Sequence, residues 1–154
     1  MTDYEKLLSH ADKLGIKVKE IDFECNDECG YYSNNKILIN NRISEVQKYA
    51  VLAEELGHHH KTVGDITNQN KIENKKQELI ARRWGYEKLI DIIDLINAYN
   101  YGCENKYEIA KYLNVTENFL SQALDYYSCK YENGYKIDKY WIDFNNGLNI
   151  FKKF

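Results

Sequence analysis

Leu52-Ala53-Glu54-Glu55-Leu56-Gly57-His58 is the stretch on which the reading of this chain turns. Val46, Tyr49, Ala50, Ala53 and Leu56 recur through it at three- and four-residue spacing, which makes it a helix with that stripe as its buried face. Ser44 with Gln47 supplies a capping-box start. Residues four apart share a helical face, so Glu54 and His58 point the same way and Glu55 stands beside them. The run is one substitution from His-Glu-x-x-His, where two histidines grip a metal and the intervening glutamate is general base toward the water that the metal activates. Here Glu55 occupies the base position and His58 the second ligand position. The first ligand position carries Glu54, and a carboxylate is a legitimate zinc donor.

A catalytic zinc needs three protein donors and an open fourth place. Glu78 stands twenty residues beyond His58, in Lys75-Lys76-Gln77-Glu78-Leu79-Ile80-Ala81-Arg82-Arg83-Trp84. On a helix, Ala81 and Trp84 would face the motif helix and carry Glu78 to the same side. The expected site is a metal held by Glu54, His58 and Glu78, with Glu55 as the base. Two carboxylates and one imidazole supply more negative charge than the usual set, so the ion should be a weaker Lewis acid. Zinc is the first expectation, and manganese or iron are the harder alternatives. Other readings stay open on spacing alone. His59 or His60 can replace Glu54 only if the helix ends at the histidines, because neighbours on a regular helix are rotated by about 100°. Asp65 can reach the ion from the following loop. The plainest alternative makes Glu54 and Glu55 solvated charge, with His58, His59 and His60 favourable at a helix C-terminus.

Outward from the motif, Thr2 with Glu5 caps a helix over about 4–14, ended by Gly15, with Leu7, Leu8, Ala11 and Leu14 as its stripe. Ile16, Val18 and Ile21 alternate, and Gly30-Tyr31-Tyr32-Ser33 and Lys36-Ile37-Leu38-Ile39 flank Asn34-Asn35 as a hairpin, predicting a small antiparallel sheet. Residues 61–73 read as a loop. A helical stretch from about Asn74 towards Tyr99 breaks near Asp91, with Ile80, Trp84, Leu89, Ile92, Ile93 and Ile96 as core candidates. Residues 108–120 have the spacing and central turn of a helix-turn-helix, with Thr116 as cap of its second helix. Lys130 to Asp138 and Tyr140 to Phe144 predict a final hairpin, with Asn133-Gly134 and Asn146-Gly147 as turn signals. Trp84 and Trp141 read as space-filling core residues, and His10 as a surface residue of the first helix.

The hairpin from Gly30 to Asn40, the run Leu52 to His58, and Glu78-Leu79-Ile80-Ala81-Arg82-Arg83-Trp84-Gly85 together resemble the ImmA/IrrE family of metallopeptidases, found on phages, mobile elements and some bacterial chromosomes. The last run is similar to that family's Glu-x-x-Ala-x-x-Phe-Ala helix, whose glutamate is the third zinc ligand. Glu55, His58 and Glu78 match the family pattern, and Glu54 departs from it. The resemblance implies an α+β fold. A zincin-like metallopeptidase core spans 1–90, and a helix-turn-helix-like segment with an aromatic tail spans 91–154 and packs on the core. It also implies a cytoplasmic zinc endopeptidase that acts on a DNA-binding repressor and so relieves repression. The alternative is a non-catalytic regulator of the same fold that binds a repressor without cleaving it.

Composition bounds the rest. The chain has 154 residues and a net charge of −3, so no global basic field points to nucleic acid or membrane. The N-terminus is polar and acidic where a secretory signal is basic then apolar, and no apolar run approaches membrane-spanning length, in keeping with a cytoplasmic protein. Cys25, Cys29, Cys103 and Cys129 read as reduced thiols, and Cys25-x3-Cys29 is only a loose match to half a zinc site. From Thr116 to Tyr127 there is no Lys or Arg, while Glu117 and Asp125 oppose phosphate. Asn118 and Gln122 alone remain to read base edges. That segment is therefore expected to pack or to dock a repressor protein, with no direct contact to nucleic acid.

Overall fold

The computed structural model describes residues 1–61, 71–145 and 147–153, the side chains of 71–74 excepted. The chain forms two compact units, Met1–Leu89 and Ile90–Phe154. The first unit opens with α1 (Asp3–Lys13), capped by Thr2 and Glu5 in the reciprocal arrangement that the sequence implies. It buries Tyr4, Leu7 and Ala11, and Gly15 turns the chain at φ +78°. Leu8 is only half-buried and Leu14 is exposed, because the buried stripe runs through Tyr4, Leu7 and Ala11 and so begins one turn earlier, at Tyr4.

Strands β1 (Lys17–Ile21), β2 (Gly30–Ser33) and β3 (Lys36–Asn40) form a sheet in the order β1-β3-β2. Asn34 and Asn35 both take positive φ, 48° and 62°, which suits a two-residue hairpin turn whose twist matches its strands. So β2 and β3 pair antiparallel, as expected. β1 pairs parallel with β3, making this sheet mixed where a wholly antiparallel one was expected. Alternation shows which side chains face the core but carries no strand direction, and Asp22 to Cys29 give the chain enough length to return. Asn40 anchors that return from a fully buried position. Its amide nitrogen donates to the Cys25 and Glu28 carbonyls at 2.8 and 2.9 Å, which sets where β2 begins.

α2 (Glu45–Lys61) starts at Ser44, whose hydroxyl and backbone exchange bonds with Gln47, and buries Leu52, Ala53 and Leu56. Val46, at its start, is exposed. α3 (Lys71–Leu89) packs along α2. Gly57 makes this close approach possible, since a Cβ there would meet the Ala81 carbonyl oxygen. Gly85 lies against Ala53 and Glu54 with ordinary clearance of 3.5 Å. Small residues at one-turn spacing on both helices thus bring the two backbones together.

In the second unit Asp91 breaks the helical run as predicted. Its side chain accepts from Ile93 and its N–H donates to Asp94, capping α4 (Ile92–Tyr101). α5 (Lys106–Leu113) and α6 (Glu117–Lys130) follow, with Asn114 at φ 58° between them and the Thr116 hydroxyl capping α6. Ile80 and Ile93 are exposed, contrary to expectation, because Ala81 and Ile92 take the inward positions beside them. Strands β4 (Tyr135–Ile137), β5 (Tyr140–Asp143) and β6 (Asn149–Lys152) form an antiparallel sheet in that order. The hairpin turn falls at Asp138-Lys139, with Asp138 at φ 51°, and Lys130 belongs to α6. A third strand follows the predicted hairpin. Trp141 is 42% exposed and so is no core residue: it pairs across the sheet with Phe151 on the open face, while Ile142 fills the inner one.

Candidate metal centre

Glu54, Glu55 and His58 come from the last turns of α2, and Glu78 from the facing turn of α3. One ligand atom each from Glu54, His58 and Glu78 lie within 4.8 Å of one another. His58 Nε2 stands 3.3 Å from Glu78 Oε2. Two donors on one tetrahedral zinc at ordinary bond lengths sit about 3.4 Å apart, so this edge already has a coordination spacing. His58 is buried, with Glu54 and Glu78 half-buried around it.

The electrostatics of the cluster also suit a cation. Burial pushes the Glu55 carboxyl up to about 8, and the charges of Glu54 and Glu78 push the same way. Burial raises Glu54 too, opposed by the Arg82 guanidinium, raised again by Glu78 and opposed by His58. Three carboxylates crowd a poorly solvated corner, and a divalent ion there would relieve them. Donor set, spacing and charge all fit such an ion.

Gly30, at the start of β2, is what lets the sheet approach Glu55. A Cβ on Gly30 would come within 2.5 Å of Val51 Cγ1 and 3.2 Å of Glu55 Oε1. Spacing did not reveal this contact, because Gly30 and Glu55 lie on different elements.

α2 continues through His59 and His60 to Lys61, so the helix does not end at the histidines. His59 turns away, its Nδ1 2.8 Å from the Tyr32 hydroxyl. His60 stacks on Trp84 at 4.8 Å between ring centroids, and burial lowers its pKa. Neither belongs to the group of possible ligands among the described residues. His10 is half-buried, 6.4 Å from the His60 ring. Asp65 lies outside the described residues. Ala81 and Trp84 do face the motif helix, as the spacing implied.

Arg82 was not foreseen. Its Nε stands 3.4 Å from Glu54 Oε1. The available signal was its position four residues past Glu78, on the same face of α3. All four cysteines are free, and neither Cys25 nor Cys29 joins a possible ligand group among the described residues.

The model of one protein family, described as the IrrE N-terminal-like domain, Peptidase M78, matches residues 11–125. No curated protein matches the chain. The family match takes in all of the elements from β1 to α5, including every residue of the candidate centre.

Proposed function

This chain belongs to the Peptidase M78 family of IrrE N-terminal-like domains, and from that premise we propose that it is a metal-dependent endopeptidase with a protein substrate. The observation that carries this reading is the convergence of Glu54, His58 and Glu78 beside the buried Glu55. Those three residues would hold the ion, with zinc the proposed metal and manganese or iron the alternatives that a carboxylate-rich set favours. Bound there, a divalent ion supplies Lewis acidity toward water and the scissile carbonyl.

Glu55 does the proton work. Its carboxylate, buried beside the three ligands, takes a proton from the attacking water and delivers it to the departing amine. Gly30 keeps the space in front of Glu55 free of side chain. His58 and Glu78 orient one another across the two helices.

The proposed substrate is a helix-turn-helix repressor of a phage or mobile element, cleaved in the cytoplasm so that repression is relieved. One feature supports a protein partner over nucleic acid. The exposed stripe of α6 carries Glu117 and Asp125, which suits a basic DNA-binding protein and repels phosphate. No described helix is long and apolar enough to cross a membrane. A second reading, a regulator that binds a repressor without cleaving it, draws on Glu54 at the first ligand position.

Metal analysis of chain purified without a histidine tag, run beside cleavage of any helix-turn-helix repressor encoded next to this gene, tests both. About one divalent ion per chain is expected, lost in His58→Ala or Glu78→Ala. Glu55→Gln should keep the metal and abolish cleavage, and Glu54→His should raise activity by strengthening the ion's Lewis acidity. Full metal occupancy in both His58→Ala and Glu78→Ala would show the ligand set to be wrong. Metal-loaded wild type and Glu54→His that are both inert would establish the regulator.

A further inference from the structure

Arg82 lies one helical turn beyond Glu78 on α3, yet its guanidinium meets Glu54 of α2, 3.4 Å from Oε1. Glu78 is engaged instead with His58 at 3.3 Å. The near-contact of Gly57 with Ala81 fixes this crossing, because it brings the two helix backbones close one residue before Arg82. We propose that Arg82 is the positioning partner of Glu54, which, held by that guanidinium, serves as the first metal ligand in place of a neutral imidazole. The proposal rests on the metal centre described above.

Charge explains why such a partner is needed. At the first ligand position Glu54 brings a negative charge where a neutral imidazole would bring none, and Arg82 sets one positive charge beside it. An arginine also suits the task better than a lysine, since its planar fork fixes the direction of a carboxylate where an ammonium does not. Arg82 therefore sets which way Glu54 turns its oxygens.

The rival view makes Arg82 a competing cation that weakens metal binding. Magnitudes separate the two. The Arg82 side chain is 53% exposed, so its repulsion of an ion through space is well screened. Partners that orient a metal ligand commonly account for tenfold to hundredfold in affinity. Orientation should thus outweigh repulsion while Glu54 is present, and only repulsion should remain once Glu54 is replaced.

Zinc affinity of the whole, untagged chain, measured by competition with a chromophoric chelator, tests this in a four-member cycle. Arg82→Ala should weaken zinc binding about tenfold or more. In the Glu54→His background the same change should cause no loss, or a slight gain. Unchanged or tighter binding by Arg82→Ala in the wild-type background overturns the proposal, as does an equal loss in both backgrounds, which would mean that Arg82 acts through the fold. Thermal melting of the chelated proteins reports the fold separately. A wild type that binds no zinc overturns the metal centre itself, whereas the other two adverse results leave the centre standing and remove only the role of Arg82.

Discussion

Burial and two neighbouring carboxylates act on Glu55 in one direction, holding its carboxyl at about 8 against an ordinary value of 4.5. A carboxyl raised in the folded state contributes stability that is fully present below its unfolded value and is lost as pH rises through the folded one. Chelated protein should therefore lose stability between about pH 5 and pH 8. Urea midpoints across that range should fall for the wild type and stay flatter for Glu55→Gln; parallel slopes for the two would show that another group is responsible. Residue by residue, the spacing made most of this site legible. Glu55 and His58 lie within one turn and Glu78 on the next helix, one turn before Ala81, so local periodicity carried them to one side. Arg82 and Gly30 escaped because each meets the site across elements, through contacts that no local pattern encodes.

Helix α2 meets α3 through two glycine contacts of different tightness, and these make opposite predictions. Gly57→Ala would drive a methyl into the Ala81 carbonyl, which is backbone and cannot swing aside, so it should cost about 1–3 kcal/mol and loosen metal binding. Gly85→Ala meets only ordinary contacts at 3.5 and 3.6 Å, so helix propensity should decide, stabilising by up to about 1 kcal/mol. Equilibrium unfolding of the two variants checks both signs, and a loss at both sites would mean that the helices are closer at Gly85 than described. Among elements, those set by local rules were legible: the caps at Thr2, Ser44 and Thr116, the break near Asp91 and the Asn34-Asn35 turn all stand where sequence put them. Pairing between distant segments was not. The parallel partnership of β1 with β3 and the addition of β6 depend on where chain returns, which alternation leaves undetermined.

The whole molecule carries a net charge of −3, and α6 has no basic residue before Lys130. Few phosphates can be neutralised by such a helix, so binding to duplex DNA at physiological salt should be weak, with a shallow salt dependence. Sequence-specific nanomolar binding in a gel-shift titration would contradict this and favour a repressor-like role. The stack of Trp84 on His60 has a separate consequence. Trp84 belongs to the first unit, two residues' reach from His58 through His60, and Trp141 to the open face of the second unit's sheet; the chain has no other tryptophan. Each half of the protein thus comes with its own native fluorophore. Trp141→Phe leaves emission that originates beside the candidate centre, and Trp84→Phe leaves emission from the C-terminal sheet, so unfolding of the two units can be followed one at a time without attaching a dye.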